Sequence, residues 1–270
     1  MKYILYNPKA NNGKKPEFLE GVEYKEVIGL DYPAFFAALA PDDEVVFVGG
    51  DGTLNYLINA VDTDTIKNKV YLKTSGTGND FMNDIGNTDC SEVLINDYIK
   101  NLPTVFVNGM EKKFINGIGY GIDGYCCEVA DEIRAGGNTV PINYTAIAIK
   151  GLLFHFKQRN AVVCVDGKEF KFKNVWLAPS MKGRFYGGGM MVAPSQDRNG
   201  EKLSVVVYHC KSKMKSLMVF PNIFKGTHIE HKEMVSIMTG REIEVKFDNP
   251  CALQIDGETV LNVSSYKVKA

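Results

Sequence analysis

The residue pattern with the clearest chemistry is GGDGTLN at residues 49–55, directly after an apolar run at residues 45–48. Glycines let backbone N–H groups converge on an anion, and a following helix N-terminus adds partial positive charge. These features indicate a phosphate site, to which Thr53 can add a hydroxyl donor. Phosphate repels an acid unless a cation or a proton mediates, so Asp51 indicates Mg²⁺ or a proton-accepting role. The alternative is a tight strand-to-helix turn with Asp51 near the N-cap.

A second loop with similar chemistry, SGTGNDF at residues 75–81, follows the next predicted strand. Neighbouring parallel strands end at one crevice, where open α/β sheets bind ligands, so the two loops together support a phosphate site better than either does alone. The site is not of the Walker A type, because the chain contains no GxxxxGK[ST] sequence.

Acids also stand at two Asp-Gly steps further along the chain. Asp256 precedes Gly257, and Asp123 precedes Gly124. An Asp-Gly pair is a strong turn signal, so β-turns explain both steps. A carboxylate fixed at one position is also what general-base chemistry requires. By themselves, these residues favour the turn.

Length and composition exclude several classes of protein. The 270 residues suffice for one large domain or two modest ones, and 45% hydrophobic with 23% charged residues is ordinary for a globular protein. Lys and Arg number 31 against 32 Asp and Glu, which gives no global attraction for nucleic acid. No stretch approaches the roughly 18 apolar residues of a membrane span, and the N-terminus does not look like a signal peptide. We therefore expect an intracellular, soluble protein that binds no nucleic acid.

Two regions with different element patterns must position these residues. Up to about residue 101, strands alternate with helices, which predicts a parallel sheet. The predicted strands are residues 2–6, 24–28, 44–48 and 70–73, and the predicted helices are residues 33–39, 54–61 and 91–101. This region, residues 1–108, is expected to be an α/β domain.

The second region, residues 109–270, is expected to be a mainly β domain, because strand patterns now follow one another. Asp166-Gly167 is predicted to form a hairpin turn, and residues 141–158 a helical interlude. Strands from the domain junction onward are predicted at residues 104–107, 113–116, 161–165, 169–178, 202–209, 234–238, 242–247 and 252–255.

Six motifs occur along nearly the whole chain in the order of a known family. They are NPKANNGK at residues 7–14, GGDGTLN at 49–55, GTGNDF at 76–81, FINGIGYGID at 114–123, GGGM with a following AP at 187–194, and QIDGE at 254–258. On these motifs the sequence resembles the diacylglycerol-kinase catalytic family of lipid kinases, which includes sphingosine, ceramide and bacterial phosphatidylglycerol kinases. Chance agreement of six ordered motifs is implausible.

The resemblance implies both a fold and an activity. The fold is α/β plus mainly β: an N-terminal α/β nucleotide-binding domain, similar to those of phosphofructokinase and NAD kinase, then a β-sandwich domain, with the active site in the cleft between them. The activity is transfer of the γ-phosphate of ATP, with Mg²⁺, to a lipid hydroxyl. Diacylglycerol is the leading candidate, and phosphatidic acid would be the product.

The resemblance also implies roles for individual residues. Asp256 is expected to be the catalytic base, with Glu258 as its essential neighbour. Asp51 is expected to act in catalysis and, with Asp80 and Asp123, in a network of acids and metal. The residues expected to bind the nucleotide are Asn7, Gly49, Gly50, Asp51, Gly52, Thr53, Asn55, Thr77, Gly78 and Asn79.

The sequence departs from the family pattern at three places. Tyr56 stands where GGDGTLN is usually followed by Glu, and Asn83 lies near the position of a frequent Arg. Residues 197–203, DRNGEKL, replace an Asp-Gly-Leu run that holds a structural Mg²⁺ in bacterial members. Because Asn199 offers a carbonyl where the family offers a carboxylate, we expect weaker Mg²⁺ binding and leave a structural metal unassigned.

Other candidate features are less specific. Residues 144–159 and 211–225 combine apolar residues with cations, as a membrane-contacting surface would, although core packing with solvated lysines is the alternative. His228 and His231 could share one helical face, but they lack the partners of a zinc site, so we interpret them as a solvated pair.

We therefore expect a cytoplasmic lipid kinase that visits the inner face of the membrane and uses ATP and Mg²⁺. A homodimer is left open. One alternative is an NAD kinase, against which the GTGNDF and DGE motifs argue. The other is a lipid- or nucleotide-binding protein without catalysis, against which the acids Asp51, Asp123, Asp256 and Glu258 argue.

Overall fold

The computed structural model describes residues 1–8, 20–75, 79–87, 91–137, 140 and 142–270. Contacts divide the chain into two compact units, Met1–Leu102 and Pro103–Ala270. The strand at residues 104–107, which the expected boundary assigned to the first domain, pairs within the sheet of the second unit. None of the helices among the described residues is long and apolar enough to cross a membrane.

The first unit contains a sheet with parallel strands, as predicted. Its strands are β1 Lys2–Tyr6, β2 Val22–Glu26, β3 Glu44–Gly49, β4 Lys69–Thr74 and β5 Val93–Leu94. Its helices are α1 Tyr32–Ala38, α2 Asp51–Ala60 and α3 Asp80–Asp84. The spatial order is β2-β1-β3-β4-β5, in which only the β4–β5 pair is antiparallel. Val45, Val46 and Phe47 of central β3 are fully buried, which explains its unbroken apolar run.

The predicted helix at residues 91–101 is wrong. The short strand β5 pairs with β4 there, and a 3₁₀ turn, Asn96–Tyr98, follows it. Asn96 Oδ1 accepts from Val70 N at 2.8 Å, and its Nδ2 donates to Asn68 O at 2.8 Å. The Asn96 side chain therefore ties the segment to the β4 region, an interaction that competes with helix formation. Strand β2 also lies two residues before the prediction, at Val22–Glu26.

The second unit is β-rich, and its large sheet closes on itself. Its first strands are β6 Thr104–Val107, β7 Met110–Lys113, β8 Gly117–Tyr120, β9 Arg159–Val165, β10 Lys168–Leu177 and β11 Ser180–Met181. Its later strands are β12 Phe185–Tyr186, β13 Met190–Met191, β14 Leu203–His209, β15 Val235–Gly240, β16 Glu242–Ile255 and β17 Glu258–Lys269. In the described chain the sheet order is β7-β6-β17-β16-β8-β11-β14-β10-β9; β9 also pairs with β16, β15 pairs with β14, and β12 and β13 pair separately.

The α-helices in the described part of the second unit are α4 Ile122–Ala135, α5 Tyr144–Lys150 and α6 Lys213–Val219. A π-helical turn, Gly151–His155, continues α5. Helix α4 was not predicted from the sequence, and its Gly124 lies so close to Ala252 O of β16 that a Cβ could not be accommodated. One apolar core lies within the sheet around Tyr120 and Val245, and another lies beneath the helices around Trp176.

Two strand predictions in this unit need correction. Of the predicted strand 113–116, Lys113 ends β7 and residues 114–116 lie between β7 and β8, because the N–H groups of Ile115 and Asn116 bond to a side chain instead of a neighbouring strand. Residues 242–247 and 252–255 form one strand, β16, whose register against β17 shifts between Lys246 and Cys251. Pro250 lies in this irregular stretch, where a missing N–H is tolerated.

Candidate active site

The first candidate site residues lie at the carboxyl ends of β3 and β4. Gly49 ends β3 and lies against the Thr53 side chain so closely that no Cβ would fit. By contrast, a Cβ on Gly52 would have no atom within 4 Å. Ser75 N donates to Gly49 O at 3.1 Å, which joins the two loops. The β3–α2 turn is therefore close-packed on the strand side and open at Gly52, as a phosphate-binding backbone requires.

Asp51 links the two loops a second time. Its Oδ2 accepts from Asp80 N at 2.8 Å and its Oδ1 from Phe81 N at 3.0 Å. Both donors belong to the first turn of α3, so Asp51, the first residue of α2, caps that helix. Asp80 itself is buried. The structure therefore brings together Asp51 and Asp80, two of the predicted acids.

The other predicted nucleotide residues are distributed around these loops. Asn7 directly follows β1, Asn55 is buried in α2, and Asn79 is the residue before α3. Thr77 and Gly78 lie outside the described residues, as do the later residues of the NPKANNGK motif.

In the second unit, Asp256 lies in a cradle made of backbone donors. It occupies the two-residue turn between β16 and β17 with a φ of 46°, and Gly257 follows with a φ of 96°. Its Oδ2 accepts from Ile115 N at 2.7 Å, and its Oδ1 accepts from Asn116 N and Gly117 N, both at 2.9 Å. Three consecutive N–H groups therefore fix the orientation of one partly buried carboxylate.

Arg198 contacts the same cradle from its other side. Its Nη1 donates to Ile115 O at 2.6 Å and its Nη2 to Asn116 Oδ1 at 2.8 Å, and the residue is only 9% exposed. Ile115 O belongs to the peptide group whose N–H, that of Asn116, bonds to Asp256. Lys182 N and Gly183 N donate to Asn116 O in the next peptide group, at 2.9 and 3.0 Å. The cradle is thus supported by donors on its carbonyl side.

Glu258 and Gln254 flank Asp256 differently. The Glu258 carboxylate is half exposed and forms an ion pair with Lys112 Nζ at 2.5 Å. Gln254 is buried, and its Oε1 accepts from Gly257 N at 2.6 Å. Its Nε2 and the Cβ of Asp123 both border Gly119, where they would lie 2.6 and 2.7 Å from an added Cβ. Gln254 therefore extends from the Asp256 turn toward the region of Asp123.

Asp123 differs from the other acids because its charge is poorly satisfied. It lies in the first turn of α4 and is buried, and burial raises its pKa from 3.8 to about 7. The Tyr186 hydroxyl partly opposes this shift. Among the described residues, Asp123 Oδ2 and Tyr186 Oη are both buried without a well-formed hydrogen bond. Asp123 is therefore a buried acid that can hold a proton near neutral pH.

The sequence matches two described domains. Residues 116–267 match the "YegS C-terminal NAD kinase beta sandwich-like domain", and residues 30–105 match the "Diacylglycerol kinase catalytic domain". The chain belongs to the diacylglycerol-kinase family of lipid kinases. Its resemblance to the family and its fold class are therefore confirmed, and membership of a kinase family implies ATP use.

This lipid kinase is similar to proteins from two bacteria. The diacylglycerol kinase of Mycobacterium tuberculosis is 26% identical over 239 residues, which cover 84% of this chain and 75% of the relative. A crystal structure described as a diacylglycerol kinase from Bacillus anthracis has a TM-score of 0.65 at 17% identity and covers 99% of this chain and 93% of its own. At that identity the second likeness shows the fold alone.

The loop at residues 197–203 of this lipid kinase does not fit a structural Mg²⁺. The Arg198 guanidinium is buried at Ile115 O, and Lys182 Nζ donates to Gly200 O at 3.0 Å. Burial, together with the nearby Arg198, lowers the pKa of Lys182. The Lys182 ammonium group already bonds to Gly200 O of the loop, and the Arg198 guanidinium lies near it. These two positive charges oppose the binding of a cation to the loop. Among the described residues, no cluster of three His, Cys, Asp or Glu side chains could hold a metal.

Two residues near the candidate site of this lipid kinase were not predicted from the sequence, and a third was predicted wrongly. Arg198 was noticed only as part of a departure from the family pattern, and Tyr186 was not singled out. His228 was interpreted as solvated, but it is 1% exposed with Nε2 at 3.1 Å from Val192 O, and burial lowers its pKa to about 4. In the sequence, burial of Arg198 was indicated only by its position in a loop directly before the apolar strand β14.

Proposed function

We propose that this lipid kinase transfers the γ-phosphoryl group of Mg-ATP to the free hydroxyl of a membrane lipid, with diacylglycerol as the leading candidate and phosphatidic acid as the product. The observation that carries the proposal is the carboxylate of Asp256, which three consecutive backbone donors hold in one orientation. A lipid alcohol is a poor nucleophile at neutral pH, so a fixed proton acceptor is the group that its phosphorylation requires.

In the proposed reaction, Asp256 accepts the hydroxyl proton as the lipid oxygen bonds to the γ-phosphorus. The bond from that phosphorus to the β–γ bridging oxygen breaks, and ADP leaves with the electron pair. The donors from Ile115, Asn116 and Gly117 keep the carboxylate from rotating away during this step. Glu258 is proposed to assist Asp256 in this proton transfer. The ion pair of Glu258 with Lys112 supports an electrostatic effect of Glu258 on the reaction.

The ATP phosphates are proposed to bind at the β3–α2 turn. Gly49, Gly50, Gly52 and Thr53 supply a compact backbone with a hydroxyl, and the open space at Gly52 supports close approach of a phosphate. Asn7, Asn55, Thr77, Gly78 and Asn79 are proposed to complete the nucleotide site. Bound anions are favoured here because α2 begins at Asp51, immediately after the turn.

Asp51 and Asp80 fit a Mg²⁺ that arrives with ATP. The backbone N–H of Asp80 donates to Asp51 Oδ2, so the two acidic residues are adjacent, and Mg²⁺ in nucleotide sites typically takes one or two carboxylates with phosphate oxygens and water. When bound, the metal would offset phosphate charge during transfer. Asp123 is proposed as the third acid of this network, with a proton-holding role that its raised pKa supports.

The proposed reaction is tested by measuring ADP release from Mg-ATP in mixed micelles. Diacylglycerol, phosphatidylglycerol, ceramide, sphingosine and NAD are offered separately, and the product is identified by mass. We expect ADP release that depends on diacylglycerol and yields phosphatidic acid. Phosphorylation of another lipid would replace diacylglycerol as the proposed acceptor and leave the proposed mechanism unchanged. NAD phosphorylation, or ATP binding without turnover on any lipid, would contradict the proposal.

A further inference from the structure

Exposed apolar side chains are concentrated on one part of the second unit. Phe154 is 74% exposed, Met218 67% and Met214 65%, and Ile149 and Phe224 are also exposed. These five residues, together with the lysines named below, are called the docking face. They are not the hydrophobic core, because neighbours such as Leu152 and Val219 already fill the interior. An apolar surface of this kind indicates a contact site.

The two segments that carry the docking face, residues 144–159 and 211–225, are joined to each other. Lys213 Nζ donates to Leu153 O at 2.8 Å, which ties α6 to the π-helical turn. Gln158 Nε2 donates to Cys210 O at 2.6 Å. Phe154 and Met214 are therefore presented by segments that are bonded together, rather than by unrelated loops.

The charge of the docking face has one sign. The two segments contain no Asp or Glu, although the whole chain has 32 acids and a net charge of -1. Their lysines are Lys150, Lys157, Lys211, Lys213, Lys215 and Lys225, all of them exposed. Exposed apolar side chains on two joined segments that contain six exposed lysines and no acids are complementary to an anionic bilayer, into which the apolar groups insert while the ammonium groups meet lipid phosphates.

We propose that the docking face binds anionic membranes and so brings this lipid kinase to its substrate. The inference rests on the proposed function in that the acceptor is a membrane lipid, and it adds which surface meets the bilayer. A second copy of the chain is a poorer occupant, because a twofold contact places the same lysines against each other.

The test is co-sedimentation with vesicles in the absence of ATP. Vesicles of phosphatidylcholine alone are compared with vesicles that contain about 30% phosphatidylglycerol, at low and high salt. We expect at least about tenfold tighter binding to the anionic vesicles, weakened by salt. The variant Phe154→Ser with Met214→Ser and Met218→Ser should lose at least about tenfold in affinity, and Lys150→Gln with Lys211→Gln and Lys215→Gln should lose the preference for anionic lipid.

The control variant changes exposed apolar residues elsewhere: Leu94→Ser, Met110→Ser and Leu261→Ser. It should bind vesicles like the unaltered chain. Equal binding to neutral and anionic vesicles, or equal loss in the control, would overturn the proposal. The proposal would also be overturned if the chain formed a dimer that the Phe154→Ser, Met214→Ser, Met218→Ser variant dissociates, and if the unaltered chain bound no vesicles. Activity on a short-chain, water-soluble diacylglycerol should persist in the docking-face variants, which separates failure of docking from failure of the kinase reaction.

A second inference follows from the hydrogen bonds behind Asp256. We infer that Arg198 is a positioning residue for the Asp256 carboxylate. Its guanidinium bonds to Ile115 O, the carbonyl of the peptide group that donates to Asp256 through Asn116 N. A cation at the carbonyl end of a peptide group polarises it and strengthens the N–H donor at the other end. Arg198 also fixes the Asn116 side chain. This inference depends on the proposed role of Asp256.

The test of Arg198 separates positioning from stability. Arg198→Met should lower kcat by about 10–100-fold with KM for ATP nearly unchanged, and Arg198→Lys should restore part of kcat. Arg241→Met is the control, because Arg241 is exposed and pairs with Glu201 in the same loop. Rates are compared at a temperature at which thermal unfolding shows every variant folded. An unchanged kcat in folded Arg198→Met would overturn this inference, whereas full activity in Asp256→Asn would overturn the proposed mechanism itself.

Discussion

Two Asp-Gly turns in the second unit have nearly the same backbone and different surroundings. Asp166 and Asp256 have φ values of 47° and 46°, and the glycines that follow have φ values of 83° and 96°. Each turn connects two paired antiparallel strands, β9 with β10 and β16 with β17. Both conformations are the left-handed turns that Asp-Gly sequences favour. The local sequence therefore explains the two turns equally well.

The difference lies in the segment that each carboxylate meets. Asp166 is exposed, and its Oδ1 accepts from Arg241 N and Glu242 N at the start of β16. Asp256 is partly buried, and both of its oxygens accept from residues 115–117, which lead into β8 and are supported from behind by Arg198. A turn signal in the sequence thus becomes a candidate base only through a partner segment about 140 positions away.

The sharpest test of this comparison is the same substitution in both turns. Asp256→Asn should lower kcat by about 100- to 10 000-fold, because an amide cannot accept the hydroxyl proton. The affinity for ATP should stay within about twofold, since a base acts mainly in the transition state. Asp166→Asn should leave kcat unchanged. The measurements are lipid-dependent ADP release and ATP binding by calorimetry.

The stability of both variants must be followed, because an amide nitrogen in place of Asp256 Oδ2 would face Ile115 N, also a donor. We expect Asp256→Asn to lose about 1–3 kcal/mol for that reason. Assays at a temperature at which both variants are folded remove this effect. Normal turnover with weakened ATP binding in Asp256→Asn would assign the residue to the nucleotide site instead.

The first unit extends the comparison with a third carboxylate that binds consecutive N–H groups. Asp51→Ala should lower both ATP affinity and kcat, each by at least about tenfold, because it removes the proposed Mg²⁺ ligand and the link to α3. Asp31→Ala is the matched control, since Asp31 caps α1 through Ala34 N at 3.0 Å. It should cost about 1 kcal/mol of stability and leave ATP binding unchanged. Equal effects of the two substitutions on ATP binding would show that Asp51 only caps α3 and does not take part in the nucleotide site.

Much of the fold could be predicted because its signals are local. The strand at β3, the helix predicted at residues 33–39 and the Asp166-Gly167 turn each depend on residues close in sequence. These predictions are confirmed, the helix as α1 Tyr32–Ala38. The helix predicted at residues 91–101 failed because Asn96 bonds to backbone groups of the β4 region. Helix α4 was missed because its packing depends on Gly124 against a distant strand.

The candidate site was predictable as a set of residues but not as an environment. Motif order identified Asp51, Asp80, Asp123 and Asp256, and the roles of these acids stay predictions. The burial of Asp123 and of Arg198 could not be read from the sequence, because tertiary contacts alone decide whether a charged side chain is solvated. His228 was misread for the same reason.

Asp123 provides the opposite case to Asp256, a carboxyl with little support for its charge. Its pKa is about 7 in the folded protein and 3.8 in the reference state, so the folded chain retains a proton that the unfolded chain releases between these values. The free energy of unfolding should therefore fall as the pH rises through that window, by up to about 4 kcal/mol. Asp123→Asn should remove this loss. The measurement is the free energy of unfolding in urea, compared between the variant and the unaltered chain from about pH 5 to about pH 8.

The protonation of His228 changes the free energy of unfolding with pH in the opposite direction, so its effect must be separated from that of Asp123. Its pKa falls from 6.5 to about 4, so the unfolded chain takes up a proton first as the pH decreases. Its contribution to stability is lost between those values on acidification. A difference between Asp123→Asn and the unaltered chain that does not grow with pH above about 5 would show that burial does not hold the Asp123 proton.

The smallest expected effect tests whether turn geometry or the carboxylate environment matters more. A Cβ on Gly257 or on Gly167 would have no atom within 4 Å, so alanine adds only the strain of positive φ. Gly257→Ala and Gly167→Ala should each cost about 1–2 kcal/mol of stability by thermal or urea unfolding. Only Gly257→Ala should lower kcat, by about three- to tenfold, because it tilts the carboxylate that three donors hold. Equal kcat in the two variants would mean that the cradle, rather than the turn, alone determines where Asp256 points.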